Sequence, residues 1–207
     1  MGKLEDRRRI LVWMGAAVAA IPLRPTPALG ADRPPTPPVD EGPFYPRRFP
    51  QDTDADLTQV AGRAERAQGT PLELSGRVVD RSGRPRANAR VEIWQCDAHG
   101  YYHHVGEPEA SLDPAFQGYG AVATDAEGRY AFRTIRPVPY GGRTAHIHFI
   151  VSENGRRKLT SQVFVEGEAG NARDFLYRNL GDDARLVTMK LEQAGGGMRG
   201  AFDIVLA

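Results

Sequence analysis

His146 and His148 stand one residue apart in the run Arg143-Thr-Ala-His-Ile-His-Phe149. Side chains alternate faces along a strand, so both imidazoles would project the same way and could grip one metal ion, with Ile147 turned to the core. A buried, hydrogen-bonded histidine pair is the competing explanation for such a pattern in a β-protein. Three further histidines, His99, His103 and His104, crowd the loop Asp97-Ala-His-Gly-Tyr-Tyr-His-His104. No carboxylate is spaced as a ligand beside His146 and His148, and no cysteine cluster suits zinc. Two tyrosines do stand nearby: Tyr102, in a turn after a strand, and Tyr140, six positions before His146. A phenol with a pKa near ~10 becomes an anionic ligand at neutral pH only against a strongly Lewis-acidic ion. Ferric iron, hard and trivalent, is such an ion.

The elements that would carry these residues are short β-type runs beginning at Leu72. Leu72–Asp80 alternates, Arg81-Ser-Gly-Arg-Pro85 turns, and Ala89–Cys96 alternates again, which predicts a hairpin. Further strands are expected at Gly120–Thr124, Tyr130–Thr134, Ala145–Ser152, Thr160–Val165, Leu186–Leu191 and Ala201–Leu206, with a brief helix over Ala172–Arg178. The pattern predicts an all-β fold, an antiparallel β-sandwich of about eight strands over 72–207 with function carried on its loops. Before it, Ala31-Asp-Arg-Pro-Pro-Thr-Pro-Pro-Val39 reads as an extended arm. The aromatic and turn-rich cluster Glu41-Gly-Pro-Phe-Tyr-Pro46 would lie across the domain surface or line a pocket rim.

Composition narrows the function classes. The 207 residues carry 27 basic and 26 acidic side chains, a net charge of +1 with no basic stripe, so nucleic acid is not an expected partner. The single cysteine, Cys96, cannot form an intramolecular disulfide and reads as a small buried hydrophobe. Arg7, Arg8 and Arg9 precede an apolar run from Ile10 to Ile21, and Ala28-Leu29-Gly30 supplies small residues for cleavage. Residues 1–30 therefore read as an export signal of the twin-arginine type, although Asp6 stands where Ser or Thr is usual. The expected destination is the periplasm, with no stable membrane span once the signal is removed. A sandwich with this hairpin would equally fit a transthyretin-like binding module without chemistry, or an enzyme of the same scaffold holding another metal such as copper or zinc.

A resemblance decides between these. Leu74 to Tyr102, with Gly76, Glu92-Ile93 and Gly100-Tyr-Tyr102, is similar to the signature of the intradiol ring-cleavage dioxygenases. Leu112-Asp-Pro114, the run from Thr124 to Pro137, Tyr140, Arg143–Phe149 and Thr160-Ser-Gln-Val-Phe164 follow in the family's order, most like its protocatechuate-type catalytic subunits. The resemblance implies Fe(III), held by Tyr102, Tyr140, His146 and His148. It implies that Tyr102 stays bound and Tyr140 leaves when substrate chelates. Arg143 would face the ring carbon where negative charge develops, and Gln162 would sit beside Arg143. The implied partners are a catechol-type substrate and O2, and the implied product of cleavage between the two hydroxylated carbons is a cis,cis-muconate. Tyr101 is the weaker ligand candidate, and His99, His103 and His104 match no ligand position. The chain could also assemble with copies of itself.

Two departures bear on the substrate. The family often carries a longer insertion between its second tyrosine and the histidines, ending in Trp-Arg-Pro. Here only Gly-Gly-Arg-Thr-Ala separates Tyr140 from His146, and Thr144 takes the place of that proline. A shorter loop predicts a more open site.

Overall fold

The structure, a computed structural model, describes residues 32–103 and 109–207. The expected signal segment and His104 fall outside these residues. Two five-stranded sheets face each other. The first has the order β3-β2-β5-β6-β7, with β2 Arg90–Trp94, β3 Tyr119–Ala123, β5 His146–Glu153, β6 Arg156–Val165 and β7 Thr188–Met189. The second is built on β1, Pro71–Asp80. β4, Arg129–Ile135, runs antiparallel along one side of it. β9, Gly197–Ala201, and then β10, Ile204–Leu206, run parallel along the other, with β8, Leu191–Ala194, outside β9.

Burial follows the alternation in β1 and β4, where Leu72, Leu74, Tyr130 and Phe132 turn inward and their neighbours face solvent. They meet Val91, Ile93, Ile147, Phe149 and Val163 of the other sheet in one continuous core. Each such aliphatic or aromatic side chain contributes roughly 1.5–3 kcal/mol by leaving water. Strand β5 differs, because its first six residues are buried on both faces. Its second face lies under the N-terminal arm and the loops around Tyr102 and Tyr140.

The sandwich stands, with three corrections. β1 and β2 do not form a hairpin, because both sides of β1 are taken by β4, β9 and β10, and β2 pairs with β3 and β5 in the opposite sheet. The turn after Asp80 is real, but Asn88, with φ 56°, redirects the chain across the sandwich. The sheets are mixed, since the pairings of β1 with β9 and β10 and of β6 with β7 are parallel. The expected strand Leu186–Leu191 is instead the end of a 3-10 segment, Gly181–Val187, followed by the two-residue β7. The brief helix is α1, Phe175–Asn179. Among the described residues no helix is long and apolar enough to cross a membrane.

The arm is bonded into the domain. Thr36 N–H donates to Val205 O, Val39 N–H to Thr160 O, and the Ser161 hydroxyl to Pro37 O. Leu57, further along, is fully buried in the central core.

Candidate metal centre

Strand alternation places His146 and His148 on the covered face of β5, both buried, with Ile147 in the sandwich core. Register puts Trp94 of β2 and Gln162 of β6 on either side of His148. The Trp94 indole stacks on the His148 ring, 4.8 Å between centroids and 12° from parallel. Tyr102, in the loop after β2, is 1% exposed and enters from above. Tyr140 ends the loop before β5 and is only partly buried. Its backbone pairs with Arg143 in both directions across Gly141 and Gly142, with φ of 51° and 84°. Positive φ at both central residues is the demand of a type I′ turn, and glycine meets it without strain. The short loop is therefore a tight hairpin that swings Tyr140 towards Tyr102. Gly100 makes room for it, since a Cβ there would lie 3.3 Å from the Tyr140 Cβ.

The four predicted donors converge. His148 Nε2 lies 3.1 Å from both His146 Nε2 and the Tyr102 Oη, and Tyr140 Oη lies 3.4 Å from His146 Nε2. His146 Nδ1 sits 2.6 Å from Thr144 O, so that nitrogen carries the proton and Nε2 presents a lone pair to the centre. Burial, reinforced by the Arg143 charge, lowers the His146 pKa to about 4. Burial, then His146 and Arg143, hold His148 well below the usual imidazole range. Both rings are thus neutral, the form that binds metals. Burial raises both tyrosines, Tyr102 most, so their phenolates need a strong cation beside them. His148 Nδ1 is buried without a hydrogen-bond partner among the described residues. Two facing imidazole nitrogens with two phenols around them satisfy one another poorly and suit a cation of high charge well. Among the described residues no three His, Cys, Asp or Glu side chains gather as a metal site, and the side-chain oxygens that stand beside the two imidazoles are those of the tyrosines.

Arg143 and Gln162 come together as expected, with Arg143 Nη2 donating to Gln162 Oε1 at 2.7 Å. Sequence reading missed what holds them. Asp174 Oδ2 accepts from Arg143 Nε at 2.7 Å and from Thr144 N–H at 2.9 Å, while its Oδ1 caps α1 through the N–H groups of Leu176 and Tyr177. Burial works against its charge, but Arg143 and these N–H groups hold its carboxyl below the usual range. Gln162 Nε2 in turn donates to Asp40 O of the arm at 2.7 Å. Phe44, from the aromatic cluster expected over the surface or at a pocket rim, covers the centre: its ring lies parallel on Tyr102, 4.3 Å between centroids, and edge-on to Tyr140. An Asp just before a short helical run is an N-cap signal, but nothing in the chain ties that cap to Arg143. His103 lies against buried Asp97 and edge-on to Phe116, and His99 is exposed, so neither joins the donors. Cys96 is a small buried side chain as expected, beside Val138 O, with its thiol pushed up to about 12 by burial.

A cleft of about 470 Å³ opens beside Tyr140, Arg143 and Thr144, with Glu168, Gly170 and Arg173 opposite. That volume accommodates a single substituted ring. A larger cavity, about 840 Å³, lies between the proline arm and the C-terminal residues and touches none of the donors.

The family model described as Dioxygenase matches residues 40–207 of this chain. The chain belongs to the intradiol ring-cleavage dioxygenases. It is 36% identical over 167 residues to the protocatechuate 3,4-dioxygenase beta chain of Burkholderia cepacia, covering 74% of this chain and 71% of that one. Catechol 1,2-dioxygenase 2 of Acinetobacter lwoffii is 35% identical over 161 residues, but the match spans only 55% of its length. Among solved structures, the dioxygenase domain of a dioxygenase carbohydrate-binding protein fusion from Streptomyces sp. SirexAA-E superposes with a TM-score of 0.68 at 33% identity. That superposition covers 84% of this chain and 98% of the Streptomyces domain.

Proposed function

We propose that this dioxygenase uses Fe(III), bound by Tyr102, Tyr140, His146 and His148, to cleave a catechol-type ring between its two hydroxylated carbons with O2, giving a cis,cis-muconate. The observation that carries the reading is the convergence of two buried neutral imidazoles and two phenols, with a partly buried, paired Arg143 nearby. When bound, a ferric ion would supply the Lewis acid that draws the two substrate oxygens in as a dianion and makes the ring reactive to dioxygen.

The chain's own residues divide the remaining work. Buried Tyr102, packed under Phe44, is the fixed ligand, and partly exposed Tyr140, on its two-glycine turn, is the one free to swing out and accept a catechol proton at its Oη. Arg143 supplies a fixed positive charge, oriented by Asp174 and Gln162, for the negative charge that develops on the ring. The arm and Trp94 keep bulk water from the imidazole side. The short Tyr140–Arg143 turn supports an open cleft able to admit ring substituents. Arg7–Arg9 and the apolar run to Ile21 support export by the twin-arginine route to the periplasm.

The test is reconstitution with ferric iron, followed by visible spectroscopy and oxygen uptake on catechol, protocatechuate and hydroxyquinol. The expected result is a tyrosinate-to-iron band, shifted in Tyr140→Phe and lost with the metal in Tyr102→Phe, and uptake of one O2 per ring. A protein that stays colourless after iron loading and consumes no oxygen would be a binding module on the same scaffold.

A further inference from the structure

A file of aromatic side chains leads from His148 to the protein surface. Trp94 lies flat on His148, and Tyr45 meets Trp94 edge-on at 5.0 Å between centroids. Tyr119 and Phe49 flank Tyr45 at 6.4 and 6.0 Å. Trp94 and Tyr119 are fully buried, Tyr45 is partly exposed and Phe49 is exposed. Packing would account for the rings, but not for how their polar ends are arranged. Tyr45 and Tyr119 both donate their hydroxyls to the same oxygen, Glu92 Oε1, at 3.1 Å for Tyr45. Glu92 is itself buried, with Arg90 Nε 3.7 Å away. Trp94 Nε1 is buried with no hydrogen-bond partner among the described residues, which is unusual for an indole N–H.

We propose that Trp94, Tyr45 and Tyr119, with Glu92 as their proton acceptor, form a one-electron relay that carries oxidising equivalents from the histidine wall of the centre to the surface. The proposal rests on reading that centre as one that handles dioxygen. The oxidant is hydrogen peroxide, taken up from solution as a co-reactant. Each event takes one electron from the Trp94 indole. No base stands at its N–H, so the oxidised ring keeps its proton and remains a radical cation, its more strongly oxidising form. Tyr45 returns one electron to Trp94 and passes its phenol proton to Glu92 Oε1, becoming a neutral tyrosyl. Tyr119 shares that acceptor and can hold the same vacancy. The Arg157 charge, 4.9 Å over the Tyr45 ring, opposes this oxidation, and its ion pair with Glu41 offsets it. A thiol or an unbound catechol then supplies one electron at Tyr45, and Glu92 gives back the proton. Over two events peroxide takes up two electrons and two solvent protons and leaves as two waters, with every residue restored.

The experiment exposes the iron-loaded protein to hydrogen peroxide without catechol, freezes it at intervals for electron paramagnetic resonance, and maps oxidised peptides. Wild type should show a tyrosyl signal that decays when a thiol is added. Tyr45→Phe, which keeps the ring, and Glu92→Gln, which keeps the hydrogen bonds, should each weaken that signal severalfold. Oxidation products on Trp94 and His148 should accumulate correspondingly faster. A parallel arm oxidises the metal-free protein with a photogenerated one-electron oxidant and should yield the same tyrosyl. A tyrosyl in the photochemical arm with none in the iron arm supports the relay and sinks the reading of the centre. The relay is overturned if neither arm yields a tyrosyl in wild type, or if Tyr45→Phe is oxidised at the same sites and rates as wild type.

Discussion

Asp174 Oδ2 sits between the Arg143 guanidinium, at 2.7 Å, and the Thr144 N–H, at 2.9 Å, so one buried oxygen sets both the direction of the arginine and the path of the chain into His146. The pair is almost free of water, with side-chain exposures of 13% for Arg143 and 0% for Asp174, where breaking an ion pair costs far more than at a surface. A proline at position 144 would have no N–H for this bond. The departure from the family's usual Trp-Arg-Pro thus comes with a hydrogen bond that only a non-proline residue can make.

Asp174→Asn keeps an oxygen for the α1 cap but removes the charge opposite Arg143. The expected outcome is a fall in kcat/KM of about 10–100-fold, as for other residues that orient a metal-site side chain, with iron content and the visible band unchanged. Steady-state kinetics beside metal analysis checks this. An unaltered kcat/KM would leave Asp174 a helix cap and nothing more.

Phe44→Ala removes the ring that lies 4.3 Å from Tyr102. Loss of the stacked pair and of part of its buried area should cost about 1–3 kcal/mol. Thermal unfolding measures that loss, and a shift of the tyrosinate band should accompany it, because Tyr102 gains room to tilt. Phe44→Leu should recover part of the stability but not the band position.

Acid should weaken the fold through Asp97. Burial alone would raise its carboxyl, but His103 and the N–H groups of Asp113, Tyr101 and His99 donate to it and hold it below the usual range. A folded-state pKa below the unfolded one gives stability that is complete above the unfolded value of about 3.9 and is lost as pH falls from there through the folded value. Urea midpoints followed from neutral pH into this window should drop in wild type and drop less in Asp97→Asn. The variant should also be less stable at neutral pH by about 1–3 kcal/mol, since several donors lose a charged acceptor.

Much of the centre was legible because its signals are local. His146 and His148 are two apart on a strand, and alternation alone puts them on one face. The tyrosines needed the resemblance, since no spacing rule links Tyr102 to a strand that begins at His146. Alternation also announced β1 and β2 correctly but could not name their neighbours. A period of two shows which side chains turn inward, whereas partner choice depends on which edges are already occupied, and those of β1 go to strands as distant as Gly197–Ala201. Asp174, and the ring that Phe44 would cover, stayed hidden for the same reason. Asp174 meets Arg143 across 31 positions of chain, and Phe44 meets Tyr102 only because the arm folds back over β5.

The bond from Gln162 to the Asp40 carbonyl joins points 122 positions apart, and the Phe44 stack on Tyr102 closes a second, shorter loop of the same arm. Contacts of such span form late in folding, after the entropy of closing the intervening chain has been met by the sandwich itself. The four donors can therefore reach their final spacing only once the first and middle thirds of the described chain have docked. With iron held as proposed, metal uptake reports completed folding, and the appearance of colour during refolding should trail the formation of the sheets.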